Sequence, residues 1–184
     1  LFTGVGLRAA GGFHSLALMT NLHVAGWGQN DFGQLGLGPT EVGTDAIWPT
    51  EIPGLVAYGL AGGGYHSVAL MGDTTLKTWG DNTSGQLGLS SMSPLFATPQ
   101  AVPLLSNFRT VACGANFTFA LMNNGTVRAC GNNLVGQLGL GTTSAAQRTF
   151  VLVPGLSNIV ALAGGDSHGA AVRSDGRVFT WGNN

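Results

Sequence analysis

The chain has 184 residues, 44% of them hydrophobic and 8% charged, with 31 glycines and a net charge of −1. That length and apolar content support a packed core and exclude a disordered chain. The single lysine and six scattered arginines make no basic cluster, which excludes the electrostatic footprint of a nucleic-acid binder, and no apolar run is long enough to span a membrane.

In chain order, the first segment with a clear pattern is "GGFHSLALM" (Gly11–Met19), an apolar stretch opened by paired glycines. A short turn near His23 leads to a return stretch ending in "WGQN" (Trp27–Asn30), then to "GQLGLG" (Gly33–Gly38) and the irregular linker "PTEVGTDAIWPTE" (Pro39–Glu51). The whole sentence then repeats. "GGYHSVALM" begins at Gly63, "GANFTFALM" at Gly114 and "GDSHGAAVR" at Gly165, steps of 52, 51 and 51 residues. Units of approximately 1–52, 53–102, 103–153 and an incomplete 154–184 account for almost every residue. A fixed period of this length marks a repeat architecture.

Each unit reads as strand, turn, strand. In Phe117–Met122 the side chains alternate Phe, Phe, Leu against Thr, Ala, Met, with no charge on either face, so such a strand is covered on both sides. Asn124-Gly125 and Asp175-Gly176 are strong hairpin signals. A second strand pair per unit is drawn from the Gln-Leu-Gly segment and from the apolar stretch before each glycine pair. All-β units of about 51 residues, covered on both faces, predict a β-propeller of four-stranded antiparallel blades, a partial ring of about 3.5 blades. Helices should be nearly absent.

The copies act as an internal comparison. His14, His66 and His168 share one position, and Phe117 holds it in the third unit. A metal ligand or general base does not survive exchange for phenylalanine, so these histidines are expected to be structural, packed near an inner strand with a nitrogen on a backbone carbonyl. Trp27, Trp79 and Trp181 align with Cys130 and are expected to wedge between blades. Gln34, Gln86 and Gln137 are expected to tie a buried turn to a neighbouring strand. Asn30, Asn82, Asn133 and Asn184 are expected to bond their own turns. Ser15, Ser67, Thr118 and Gly169 also align, so serine beside histidine here is repeat chemistry, not a nucleophile with its base. The scattered acids suggest no acid/base pair. Cys113 and Cys130 form neither a metal motif nor a disulfide framework. No cofactor or metal is expected.

What varies is the linker, so recognition is expected there, on a rim of rigid strands. Glu41, Asp45, Trp48, Phe96 and Phe150 are the candidate partner contacts. The low charge and single lysine point to an extracellular or cell-surface setting.

The succession "AGG-aromatic-His-Ser-x-Ala-Leu", "Trp-Gly-x-Asn" and "Gly-Gln-Leu-Gly-Leu" resembles the regulator of chromosome condensation repeat. That family forms seven-bladed propellers, so the resemblance implies an expected seven blades. Its members include a nucleotide exchange factor for the small GTPase Ran. The resemblance and the residues together lead to a non-enzymatic protein–protein interaction or scaffold module, with guanine nucleotide exchange as the alternative. About 3.5 blades leave two faces open. Further repeats of a longer chain, a second copy or a partner chain would each close the ring, and the abrupt stop at "WGNN" favours the longer chain.

Overall fold

The computed structural model describes residues 4–183; Asn184, expected in a turn, lies outside them. The strands form four separate antiparallel sheets. The first holds β1 (Val5–Ala10), β2 (His14–Met19), β3 (His23–Gly28) and β4 (Ala46–Val56). The second holds β5 (Gly59–Gly62), β6 (His66–Leu70), β7 (Leu76–Asp81) and β8 (Leu95–Ala101). The third holds β9 (Phe108–Cys113), β10 (Phe117–Met122), β11 (Val127–Asn133) and β12 (Ser144–Leu152), and the fourth β13 (Ile159–Gly164), β14 (His168–Arg173) and β15 (Val178–Gly182). Each sheet runs in simple up-and-down order. The first strands β1, β5, β9 and β13 pack against one another in sequence and form the hub. This is a β-propeller architecture. Among the described residues, helical structure is one 3-10 turn, Pro39–Glu41.

The strand assignment differs from the sequence expectation in one respect. The Gln-Leu-Gly segment is a turn, and the outer strand of each blade comes from the linker instead. Gly33, Gly36 and Gly38 all take positive φ, which coils the segment before it can extend. The linker then lies along the blade because β3 offers it a free edge.

The core is three inter-blade layers. Leu16, Val24 and Ile52 of the first blade pack against Ala69 and Trp79 of the second. Val68, Leu76 and Val102 meet Phe108, Ala120, Cys130 and Phe150. Phe119, Leu121, Val127 and Leu138 meet Ile159 and Ala171. Alternation in β10 sends Phe119 and Leu121 into one layer and Ala120 into the next, as a doubly covered strand requires.

Each joint is also tied by polar groups. Trp79 Nε1 donates to the Gln34 carbonyl of the preceding blade at 2.8 Å, and Trp181 Nε1 to the Gln137 carbonyl at 2.9 Å. Cys130 occupies the equivalent place at the second joint, its Sγ 3.4 Å from the Gln86 carbonyl. Ser67 Oγ donates to the same Gln34 carbonyl at 2.8 Å, and Thr118 Oγ1 to that of Gln86 at 2.8 Å. His14 Nε2 then lies 2.8 Å from Ser67 Oγ, and His66 Nε2 2.9 Å from Thr118 Oγ1. The hydroxyl has one proton and a carbonyl can only accept, so the histidine Nε2–H is the donor. The ring nitrogen therefore rests on a neighbouring blade's hydroxyl, and the carbonyl is reached one bond further on. The glutamine side chains act locally: the Oε1 atoms of Gln34, Gln86 and Gln137 accept the amides of Phe32, Ser84 and Val135. It is the glutamine main chain that crosses between blades.

The third joint lacks both members of the histidine–hydroxyl pair. Phe117 stands for the histidine, and the next blade carries Gly169 where its predecessors have Ser67 and Thr118. A Cβ at Gly169 would lie 2.6–2.7 Å from the Trp181 and Phe119 rings, which meet edge to face at 5.4 Å. Where the donor is lost, its acceptor is lost with it and aromatic rings fill the room.

The second joint shows a matching exchange. Pairing of Gly26 with Thr50, Thr78 with Gln100 and Ala129 with Val151 places Phe150 where the other blades have Pro49 and Pro99. Phe150 is 4% exposed. Its ring and Cys130 Sγ both lie against Gly88, as the Trp79 indole lies against Gly36. Phe150 therefore fills space that a smaller cysteine leaves, and it is a core residue rather than a rim contact. The two cysteines are free and flank Thr118 on opposite strands. Burial pushes the Cys113 thiol up to about 12 and that of Cys130 well above its usual value.

Two expectations follow for stability. Cys130→Trp alone overfills the second joint and should cost about 1–3 kcal/mol; adding Phe150→Pro should recover most of it in urea titrations. Burial also lowers the His14 pKa to about 4, and burial followed by the His14 charge lowers that of His66 to about 3. The unfolded chain binds these protons first, so the stability is complete above pH 6.5 and is lost as pH falls toward 4 and 3. Going from pH 7 to 5 should cost about 2 kcal/mol per histidine, and His66→Phe with Thr118→Gly should remove one share.

Candidate protein-binding face

The hairpin turns between the first and second strands of each blade share one end of the molecule with the long loops that follow each third strand, because His14 pairs with Gly28 and His66 with Gly80. The hub turns are stitched to one another through the backbone. The amides of Gly12, Gly64 and Ala115 donate to the carbonyls of Gly63, Ala115 and Asp166 in the next blade at 2.9, 2.9 and 3.3 Å. Those of Gly11, Gly63, Gly114 and Gly165 close their own hairpins onto the carbonyls of His14, His66, Phe117 and His168 at 2.8–2.9 Å.

The loops are held equally firmly. Asn30, Asn82 and Asn133 each accept the amide five residues on through Oδ1, and each reaches the returning loop through Nδ2. Asp81, buried, accepts from Thr83 and from Gln86 Nε2 at 2.6 Å. Arg148 of the third blade donates to the carbonyls of Asn82, Ser91 and Thr83 at 3.2–3.3 Å and so anchors the loop of the second.

Glu41 is exposed in the 3-10 turn, and its carbonyl holds Asn30 Nδ2 at 2.6 Å. Asp45, also exposed, accepts the Asn30 amide at 3.1 Å. Trp48 is 74% exposed on β4, beside Ile47 at 81%. Phe96 is half-buried on β8. Glu41, Asp45 and Trp48 thus share one loop and strand, Phe96 stands one blade away, and Phe150 is absent from this surface. His14 and His66 are inside the joints, while His168 is exposed and Trp27 half-buried on the blades at either end.

Further apolar groups on the same end were not singled out by sequence. Phe13, 59% exposed, stacks on Tyr65 with centroids 5.1 Å apart, and Phe32 leans on Tyr65 at 4.9 Å. Met92, Leu134 and Val135 are exposed in the equivalent loops. Their signal was available: they stand at positions that differ between units otherwise alike, such as Phe13, Tyr65, Asn116 and Ser167. Among the described residues no three His, Cys, Asp or Glu side chains converge as a metal site, and no helix is long and apolar enough to cross a membrane.

Two descriptions of the Regulator of chromosome condensation (RCC1) repeat match the chain, one over residues 23–70 and 76–121, the other over 9–34, 59–86, 108–137 and 159–184. The chain belongs to the RCC1 repeat family. It is 38% identical to human "Probable E3 ubiquitin-protein ligase HERC6", matching 98% of this chain and 18% of that protein. It is 34% identical to the bovine "Secretion-regulating guanine nucleotide exchange factor", over 91% of this chain and 37% of that one. Among solved structures, yeast RCC1 (Prp20) bound to Kap60 superposes with a TM-score of 0.86 at 25% identity, and human WBSCR16 with 0.87 at 27%. These superpositions cover 99% and 100% of this chain but 45% and 49% of the others. This RCC1 chain thus spans less than half the length of the relatives it matches.

Arg148→Ala should leave the loop around Met92 without its anchor. Hydrogen exchange should quicken over residues 82–94 but not in β10, with about 1–3 kcal/mol lost overall.

Proposed function

We propose that this chain is a non-enzymatic protein-binding module whose partner docks on the end that carries the hub turns and long loops. The observation that carries this reading is the presence there of exposed apolar side chains: Phe13 on a hub turn, Ile47 and Trp48 on β4, and Met92, Leu134 and Val135 on loops fixed by buried asparagines. Monomeric surfaces seldom keep such patches, and buried aromatic anchors dominate protein interfaces. Rigid loops also lose little conformational freedom on binding.

Guanine nucleotide exchange on a small GTPase is the second reading. It is favoured by the similarity to the bovine secretion-regulating factor and by the exposed carboxylates of Glu41 and Asp45 beside Trp48.

A photo-crosslinking residue placed at position 48 or 92 should capture the partner in cells, whereas one at Leu104, fully exposed at the opposite end, should not. Capture from 104 alone would sink the docking face. Accelerated GDP release from a captured GTPase would move the assignment to exchange.

A further inference from the structure

At the centre of the same end, the four hub turns line an open bowl of about 520 Å³. One wall is the stacked pair Phe13–Tyr65, and Asn116 and Asp166 line the remainder. Acceptors predominate in this bowl. The glycine amides that would cradle an anion are already engaged, as described above, so it is not a phosphate site despite its paired glycines. Apart from the Asn116 side-chain amide and the Tyr65 hydroxyl, the polar groups that remain are acceptors. The carbonyls of Gly63, Ala115 and Asp166 each receive one bond and keep a second lone pair. The Asp166 carboxylate is exposed and receives only Ser167 Oγ, at 3.2 Å. Directly behind the turns, the buried Nδ1 atoms of His14 and His66 have no donor and lie against Gly11 and Gly63; the tautomer argued above makes them acceptors too.

The charge of the surrounding end agrees. Asp31, Glu41, Asp45 and Asp166 are exposed there. Among the described residues the only arginine or lysine at that end is Arg148, which is occupied with three loop carbonyls. The others lie on the strand bodies or at the opposite end, where Arg173 and Arg177 pair with Asp175.

We propose that the bowl receives an arginine side chain of the protein partner, its guanidinium facing Asp166 and the hub carbonyls and its hydrocarbon stem lying toward the Phe13–Tyr65 wall. Arginine suits the site because it offers five donors in one plane at the end of a stem that packs on apolar surface. This inference rests on the protein-binding reading and adds the chemistry of the anchor.

The test is titration of the isotope-labelled chain with the blocked peptide acetyl-Leu-Arg-Leu-amide, with its glutamate analogue and with inorganic phosphate, followed by amide NMR. The arginine peptide should give saturable shifts at Gly63, Gly114 and Asp166. The glutamate peptide should bind at least about tenfold more weakly, and phosphate should leave those amides unmoved. Asp166→Asn should weaken binding about five- to tenfold at low salt, and Phe13→Ala about fivefold. The difference due to Asp166 should shrink in 0.5 M salt, about a 4 Å screening length. Asp175→Asn, at the far end, should change nothing. Both site residues are exposed, so the variants should keep the dispersed spectrum of the folded chain. Equal shifts from glutamate or phosphate, or an Asp166→Asn variant that binds like the parent, would overturn the proposal. If that happens while capture from position 48 persists, the docking face stands without the arginine site. If the peptide binds but capture from 48 fails, the bowl stands and the wider face does not.

Discussion

The structure turns on one buried acceptor per joint, the main-chain carbonyl of the glutamine in the Gly-Gln-Leu-Gly turn. A carbonyl sealed from water must be satisfied or it costs on the order of 1–3 kcal/mol. Gln34 meets that demand with an indole and a hydroxyl, both from the next blade. Flat apolar sheets alone could slide over one another at little cost. A directional acceptor fixes their register, and the register in turn lines up the hub turns whose amides bond from blade to blade. The rigid end on which loops and bowl sit is a product of that alignment.

Much of this was legible in the sequence because it repeats. The period, the double coverage of Phe117–Met122 and the wedge role of Trp79 all come from residues whose neighbours are copies of one another. The polar joint was less visible. Its crossing atom is a backbone carbonyl, and no side-chain pattern advertises where a main-chain oxygen points. The same blindness put the outer strand in the wrong place, since Gly-Gln-Leu-Gly has strand-like alternation while its glycines demand positive φ. Phe150 misleads for another reason. It sits in a variable linker, and only the pairing of Ala129 with Val151 reveals that it replaces a proline and compensates for Cys130.

The candidate face was half legible. Trp48, Glu41 and Asp45 stand out as irregular residues in an irregular segment. Phe13, Tyr65 and Phe32 hid inside the repeat, where an aromatic before a histidine looks like part of the motif. Comparing units exposes them, because the hub position changes from Phe and Tyr to Asn and Ser while the glycine that opens each hub turn stays fixed.

The third joint carries a consequence for how the molecule comes apart. With Phe117 and Gly169 in place of a histidine and a hydroxyl, it keeps the Trp181 bond and the backbone bonds of Ala115 and Ile159, and its interior coheres through rings and aliphatic groups. Apolar cohesion weakens on cooling, whereas a polar relay does not weaken in the same way. Chilling and acidification would therefore open different seams of the same ring segment, the fourth blade peeling away in the cold and the first and second joints parting under protons.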